Sequence, residues 1–179
     1  LINKQNYIFL NNSWAGTTIL DWASNKESSL TLFSIKELQT ILSLGNNLKY
    51  VIWLQGESDS LNFKNLDIDQ APFFIQTHGY NNYYFEAFNI LKENITLAIN
   101  NSDVKFIITQ STICNSKRNK LINRQQLKLS DFKNIYTLSV TDNLDNSFRY
   151  DGCHLNQLGV DKVSSEISNL INKLDFLPF

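Results

Sequence analysis

Residues 49–60 read KYVIWLQGESDS, which places four consecutive apolar residues directly before a polar loop. The apolar run is typical of a strand that is buried in a sheet. The chain then turns at Gly56 and presents two acids, Glu57 and Asp59. Such a loop is either an ordinary polar turn or an active-site loop at the carboxyl end of a strand. The segments on either side distinguish the two.

Strand-like and helix-like segments alternate along the chain. The predicted strands lie at residues 6–12 (NYIFLNN), 49–55, 104–111 and 135–142. Four helices are predicted. The first begins at a capping-box spacing, Ser34–Glu37, and ends at Gly45; the next two cover residues 83–99 and 120–130; and the last begins after an N-cap at Asn156. This alternation predicts an α/β fold, a three-layer α/β/α sandwich with a parallel sheet. In such folds ligands bind at the carboxyl ends of the strands.

Composition and charge bound the possible functions. With 179 residues and 42% apolar residues, the chain is expected to form a single domain over residues 1–179. A net charge of −1 without a basic run gives no support to nucleic-acid binding, and no apolar run is long enough to span a membrane. No spacing indicates a metal site or a cofactor. Cys114 and Cys153 are expected to be free thiols, with a single bridge as the alternative.

Three loops at the ends of predicted strands carry residues that could do chemistry. In DGCHLNQLG, Asp151 and His154 are spaced so that the carboxylate can hold one ring nitrogen and leave the other as a base. Helix-entry capping is the alternative. In SWAGTTILDW, Gly16 permits close backbone approach to a ligand or forms an ordinary tight turn. Gln55 offers a side-chain amide, so Gly16 and Gln55 are candidate oxyanion donors.

The stretches NSWAGTTILDW, YVIWLQGESD and YDGCHLNQLG, in that order, resemble the sialate O-acetylesterase-like branch of the SGNH (GDSL-type) hydrolases. Family members look like SWGGTPIEAW, WYQGESD and DGIHLNxxG at these places. The resemblance implies a flavodoxin-like sheet and a cofactor-free carbohydrate esterase that removes acetyl groups through Ser, His and Asp. It implies that His154 is the general base and Asp151 its orienting partner. It also implies that Gly16 and Gln55 form the oxyanion hole, with Ala15 in place of the first glycine of the family pair.

The resemblance leaves the nucleophile without a match. The family serine lies in a G-[DQ]-S-N type motif after the first strand, and this sequence contains no such motif. It also has fewer predicted strands than the family sheet. We therefore expect the first strand and its serine to lie upstream of Leu1, which makes the chain N-terminally incomplete and the missing segment its partner. The alternatives are Ser13 as a nucleophile in a degenerate loop, or a domain that binds an acylated sugar without catalysis.

Other features have two interpretations each. Glu57 and Asp59 are either anchors beneath the site or solvated loop charges. The aromatic-rich segment 60–84 either faces an acetylated sugar or covers the sheet. An O-acetyltransferase would use the same triad and oxyanion hole as an esterase, and a lipase or thioesterase is a weaker alternative. The resemblance favours a secreted or cell-envelope location, and the sequence does not identify the sugar or the acetylated position.

Overall fold

The computed structural model of the protein describes residues 7–23, 30–63, 66–111, 113–115 and 117–176. Its strands are β1 (Tyr50–Gln55), β2 (Lys105–Gln110), β3 (Ile113–Cys114), β4 (Lys117–Arg118) and β5 (Ile135–Leu138). Its helices are α1 (Ile19–Ala23), α2 (Leu30–Leu42), α3 (Glu57–Asn62), α4 (Phe73–His78), α5 (Tyr83–Ile99), α6 (Lys120–Lys128) and α7 (Gln157–Phe176). Short 3-10 helices lie at Ile68–Gln70, Leu129–Asp131, Thr141–Asn143 and Asn146–Phe148.

The central sheet is parallel and has the order β1–β2–β5. Its register pairs Gln55 with Gln110, so the carboxyl ends of β1 and β2 lie at the same edge. The β3–β4 hairpin is antiparallel and follows β2. A parallel sheet flanked by helices is the predicted three-layer α/β/α fold. The strands predicted at 49–55, 104–111 and 135–142 are confirmed, as are the helices predicted at 83–99, at 120–130 and after Asn156.

Two predicted elements differ from the structure. Residues 7–12 of the predicted strand NYIFLNN form no strand, and residue 6 lies outside the described residues. Ile8 and Phe9 are 63% and 71% exposed, because no neighbouring strand among the described residues pairs with this segment. The helix expected to start at the capping box Ser34–Glu37 instead contains that box, since α2 already includes Leu30. The spacing of a capping box can occur inside a helix by chance.

The main core lies between one face of the sheet and helices α1, α2 and α5. Trp53 of β1 is its centre, with ring centroids 5.3 Å from Trp22 and 6.0 Å from Phe88 in edge-on contacts. Phe88 in turn packs edge-on against Phe106 of β2, at 6.0 Å. Phe88 and Phe106 are fully buried. Edge-on aromatic contacts add to the stabilisation that burial provides, so this cluster fixes the orientation of β1 and α5.

The other face of the sheet is covered unevenly. Ile107 of β2 is fully buried, whereas its neighbour Ile52 on β1 is 41% exposed, and Leu54 is 47% exposed. Asp175 of α7 accepts a hydrogen bond from the Tyr50 hydroxyl at 2.5 Å and pairs with Lys49. Among the described residues β1 has a free edge, so apolar side chains and backbone groups are open there. None of the helices in the described part of the chain is long and apolar enough to cross a bilayer.

The cysteines are not free. Cys114 of β3 and Cys153, in the loop before α7, form a disulfide, so the expectation of free thiols is wrong. The two residues are 39 positions apart in sequence, but their Cα atoms are 4.1 Å apart. The β3–β4 hairpin brings Cys114 to that loop, and sequence spacing carries no information about this contact.

Candidate active site

The segment around Gly16 is a turn at the carboxyl edge of the sheet. Gly16 adopts a φ of +74°, a conformation that favours glycine, and it is exposed. The carbonyl of Thr17 accepts a hydrogen bond from the Gln55 side-chain amide at 3.0 Å. The backbone N–H of Ile19 donates to the Asp59 carboxylate at 2.9 Å. Gln55 and Asp59 of the QGESD sequence therefore stabilise the turn through hydrogen bonds to its backbone.

Gln55 has a different part from the one expected. Its amide nitrogen donates to Thr17 O and, at 2.5 Å, to Asp59 Oδ2, and its side-chain oxygen accepts from the Tyr84 hydroxyl at 3.0 Å. Gln55 is only 9% exposed. Since an amide group has two protons and both are used, this arrangement leaves none for a tetrahedral oxyanion. Gln55 supports the Gly16 turn, and the expectation that its side chain donates to the oxyanion directly is not met by this geometry.

Asp59 is an anchor and not a solvated charge. Its side chain is fully buried, Oδ2 accepts from Ile19 N and Gln55 Nε2, and Oδ1 accepts from the Tyr83 hydroxyl at 3.2 Å. Burial raises the pKa of Asp59 to about 7, and the hydrogen bonds from Gln55, Ile19 and Tyr83 oppose that rise. The fold therefore favours the neutral acid.

This pKa predicts how stability depends on pH. Because the folded pKa of Asp59 is raised from 3.8 to about 7, its contribution is complete below pH 3.8 and is lost as the pH rises through 7. We expect unfolding free energy to fall by up to about 1.4 kcal/mol per pH unit between pH 5 and 7 from this group. In Asp59→Asn, which imitates the neutral acid, that part of the slope should disappear in thermal melts from pH 5 to 8.

The control for this experiment is Asp145→Asn. The pKa of Asp145 is lowered by its hydrogen bonds from Ser147, so the carboxylate stays ionised across the range tested. The Asp145→Asn variant should show the same dependence of unfolding free energy on pH between pH 5 and 8 as the wild type. If Asp59→Asn also leaves this dependence unchanged, the raised pKa of Asp59 is not its cause.

Gly56 directly follows β1 and is closely surrounded by backbone and side-chain atoms of other segments. Its φ is +150°, and a Cβ at this position would lie 2.6 Å from the backbone oxygen of Ser111 and 2.8 Å from Gln126 Nε2. Gln126 donates to the carbonyl oxygen of Gln55 at 2.7 Å and to the Tyr84 hydroxyl at 3.1 Å. The QGESD sequence thus needs glycine here because the backbone after β2 and the side chain of Gln126 fill the space.

Glu57 links the loop after β1 to the loop after β2. Its carboxylate accepts a hydrogen bond from the Ser111 hydroxyl. Burial raises the pKa of Glu57, while the Ser111 hydrogen bond, a backbone hydrogen bond and the charge of Arg149 lower it. Like Asp59, Glu57 is an anchor.

Asp151 and His154 are brought together as the sequence predicts. Oδ2 of Asp151 lies 2.6 Å from Nδ1 of His154, and Oδ1 accepts from the backbone N–H of His154 at 2.7 Å and of Cys153 at 2.9 Å. The hydrogen bond from the imidazole, followed by the two backbone bonds, lowers the pKa of Asp151 to about 2. An ionised Asp151 fixes the imidazole with Nε2 facing outward, available as a base.

The hydrogen bonds of the alternative nucleophile Ser13 are local. Its hydroxyl donates to the Asn11 side chain at 2.7 Å, and its backbone N–H donates to the same oxygen at 3.1 Å. Ser13 is exposed, and its loop has the local pattern of an Asx turn.

Hydrogen bonds join parts of the candidate site. The Gly16 turn is bonded to Gln55 through the carbonyl oxygen of Thr17, and Glu57, two residues after Gln55, accepts a hydrogen bond from Ser111. The ring of Tyr150 stacks on that of His154, with centroids 5.5 Å apart and planes 16° from parallel. Sequence reasoning missed this stacking and the hydrogen bond between Ser111 and Glu57, because neither has a motif.

The aromatic segment 60–84 divides between core and cavity. Tyr84 is fully buried and bonds the backbone oxygen of Gln55 at 2.9 Å, whereas Phe73 is 82% exposed. Tyr80, Tyr83 and Asp59 are among the residues that line a cavity of about 300 Å³. Most of the polar contacts of this segment are structural, so the interpretation as a cover over the sheet describes it better than a sugar-facing loop.

Fold and site together are those of an α/β protein with a carboxylate-oriented histidine at the carboxyl edge of its sheet, an arrangement that serine hydrolases use. The family described as carbohydrate esterase, sialic acid-specific acetylesterase, matches residues 3–171. The chain belongs to this family, which confirms the resemblance seen in its sequence motifs.

One solved structure gives independent support for the fold. A protein from Arabidopsis thaliana superposes with a TM-score of 0.65 at 21% sequence identity, covering 87% of this chain and 56% of its own. At this identity the likeness shows the α/β fold alone. The chain described here spans about half the length of that protein. No curated protein sequence matches this chain significantly.

Proposed function

We propose that the protein is a carbohydrate O-acetyl esterase that works through serine, histidine and aspartate. The observation that carries the proposal is the 2.6 Å contact between Asp151 Oδ2 and His154 Nδ1 in a loop at the carboxyl edge of a parallel sheet. Membership of the carbohydrate esterase family supports an acetylated sugar as the substrate. The exposed His154 side chain, at 63%, leaves its outer nitrogen accessible to a bulky ester.

In this mechanism the serine hydroxyl transfers its proton to Nε2 of His154 as its oxygen attacks the acetyl carbonyl. The backbone N–H of Gly16 stabilises the resulting oxyanion, and Gln55 and Asp59 hold the turn that presents it. The imidazolium then protonates the departing sugar oxygen. A water then gives a proton to His154 as it attacks the acetyl-enzyme. The imidazolium returns this proton to the serine oxygen as the acyl–oxygen bond breaks, which releases acetic acid and regenerates the serine.

The nucleophile that we propose is a serine of a segment upstream of Leu1. Two observations support a serine outside the described residues. The Ser13 hydroxyl is bonded to Asn11, and β1 has no partner on one side among the strands in the described part of the chain, where a further strand would pair. A strand placed there would end at the same edge of the sheet as Gln55, where the loop that follows it would carry the serine.

Covalent labelling identifies the nucleophile. A fluorophosphonate transfers its phosphoryl group to an activated serine with loss of fluoride, and peptide mapping then reads the labelled residue. With the full-length protein we expect one labelled serine that precedes Leu1, and Ser13→Ala should retain labelling and acetate release. A label on Ser13 would reassign the nucleophile, and an absence of labelling and of acetate release would support the binding module instead.

The same assay separates the esterase from an O-acetyltransferase. Free acetate should form from an acetylated sugar at the same rate with or without an added glycan acceptor. A rate of acetate formation that falls as acetylated acceptor accumulates would favour transfer.

A further inference from the structure

The loop 149–155 carries Asp151 and His154. A disulfide and a backbone hydrogen bond connect this loop to the β3–β4 hairpin. The disulfide joins Cys153 of the loop to Cys114 of the hairpin. Next to it, the backbone N–H of Asn115 donates to the carbonyl oxygen of Gly152 at 2.9 Å. A covalent bond and a hydrogen bond therefore connect consecutive residues of the hairpin to consecutive residues of the loop.

Arg149 strengthens the same junction. Its side chain is buried, with 6% of the residue exposed, and its guanidinium donates to three backbone carbonyl oxygens. These belong to Thr141 at 2.9 Å, to Ile113 of the hairpin at 3.4 Å and to Cys153 of the loop. A buried guanidinium that satisfies carbonyl groups on three segments keeps them at fixed separations.

Apart from the ring of Tyr150, which belongs to the same loop and stacks on His154, packing does little to hold the two reactive side chains. The side chain of His154 is 63% exposed and that of Asp151 is 41% exposed. Their orientation depends on the loop backbone, since Asp151 Oδ1 accepts from the N–H groups of Cys153 and His154. Cys153 is thus a disulfide partner, the donor of one of these bonds and the residue directly before His154.

We propose that the Cys114–Cys153 disulfide positions the Asp151–His154 pair for catalysis. The inference rests on the proposed function, in which His154 is the general base. Neither cysteine touches a reacting atom, so both are positioning residues. A general base acts only within hydrogen-bond reach of its proton, and a displacement of about 1 Å can cost about 10²-fold in rate.

The test uses the full-length protein with Cys114→Ser, which removes the bridge and leaves the sequence of the loop unchanged. We expect kcat for acetyl ester hydrolysis to fall by about 10²-fold with KM within about twofold, because the loop, and not the substrate contacts, is released. The variant Cys114→Ser/Cys153→Ser should behave in the same way, which excludes an effect of the free Cys153 thiol. If neither variant folds, the wild-type protein is reduced with a phosphine and then reoxidised instead. We expect kcat to fall on reduction and to recover on reoxidation.

Hydrogen exchange supplies a readout that does not depend on activity. In the bridged protein the amides of Cys153 and His154 donate to Asp151, so we expect them to exchange slowly. Without the bridge they should exchange faster while the amides of β1 and β2 keep their protection. A bridge that only stabilises the fold would lower protection everywhere and leave kcat unchanged well below the melting temperature.

The outcomes separate this inference from the proposed function. A folded, unbridged protein with wild-type kcat, or with unchanged exchange at Cys153 and His154, overturns the positioning role. If His154→Ala hydrolyses acetyl esters as fast as the wild type, the proposed function is wrong. The hydrogen-exchange data alone then test whether the disulfide positions the Asp151–His154 pair.

Discussion

Replacing His154 with alanine is expected to lower kcat for acetyl ester hydrolysis by about 10⁴-fold or more, with little change in the melting temperature. In the proposed mechanism the imidazole, which contacts Asp151, takes the serine proton, and without it the hydroxyl would remain a poor nucleophile. The large exposure of His154 means that its loss removes little packing. Acetate release from an acetylated sugar and from p-nitrophenyl acetate measures the effect.

The chain provides a matched control for this experiment. It contains two histidines. The other one, His78, ends helix α4 and packs against Phe74, with ring centroids 4.3 Å apart. His78→Ala should keep kcat within about twofold, since no carboxylate in the described part of the chain is bonded to this imidazole. Hydrolysis that survives in a correctly folded His154→Ala protein would remove His154 from the mechanism.

The pH dependence of the wild-type reaction gives a second check on the same pair. The pKa of Asp151 is held at about 2 by its hydrogen bonds from His154 and the backbone, so this carboxylate is ionised at neutral pH. We therefore expect no limb of the kcat/KM profile between about pH 5 and 8 to come from Asp151, and a limb that Asp151→Asn removes would contradict this assignment.

Gly56→Ala is expected to have the largest effect on stability, about 2–5 kcal/mol of unfolding free energy. Two costs add. A φ of +150° is one that residues with a Cβ rarely adopt, and the new Cβ would lie 2.6 Å from the backbone oxygen of Ser111. Because that contact is with backbone, the end of β2 would have to move. For a chain of this length the melting temperature should fall by about 5–15 °C.

Gly79→Ala separates the two costs. Gly79 also has a positive φ, +72°, but a Cβ there would have nothing within 4 Å. This variant should lose only about 1–2 kcal/mol, the cost of the backbone conformation alone. Equal losses in the two variants would show that the contact with Ser111 is not what requires glycine at position 56.

The Gly56 result also bears on the site. The loop that follows Gly56 carries Glu57 and Asp59, which anchor Ser111 and the Gly16 turn. A shift of this loop should therefore lower kcat as well as stability. In Gly79→Ala, by contrast, kcat should stay close to the wild-type value.

Much of the architecture follows from local patterns. The apolar run at 51–54, the helical spacing over 83–99 and the Asn156 N-cap each predict an element that the structure contains. These signals are local, because periodicity and capping depend on residues a few positions apart. The Asp151–His154 pair was predictable for the same reason, since three residues separate its members.

The elements that the sequence misjudged depend on distant partners. NYIFLNN has the composition of a strand, but a strand forms only beside another strand, and β1 offers this segment no pairing among the described residues. Gln55 has the chemistry of an oxyanion donor, but Thr17 and Asp59 already use both of its amide protons. Its role was decided by a backbone carbonyl 38 residues away and a carboxylate 4 residues away.

The sequence by itself determined the family, the α/β class and the identity of the histidine–aspartate pair, because these reside in contiguous motifs. Only the tertiary structure decided that Cys114 and Cys153 are joined, that Asp59 is buried beneath the Gly16 turn and that Gly56 is enclosed by Ser111 and Gln126. Each of these contacts joins segments that are far apart along the chain. Parallel strands must cross over through helices before they pair, so their neighbours are set by the packed sheet and not by spacing in the sequence.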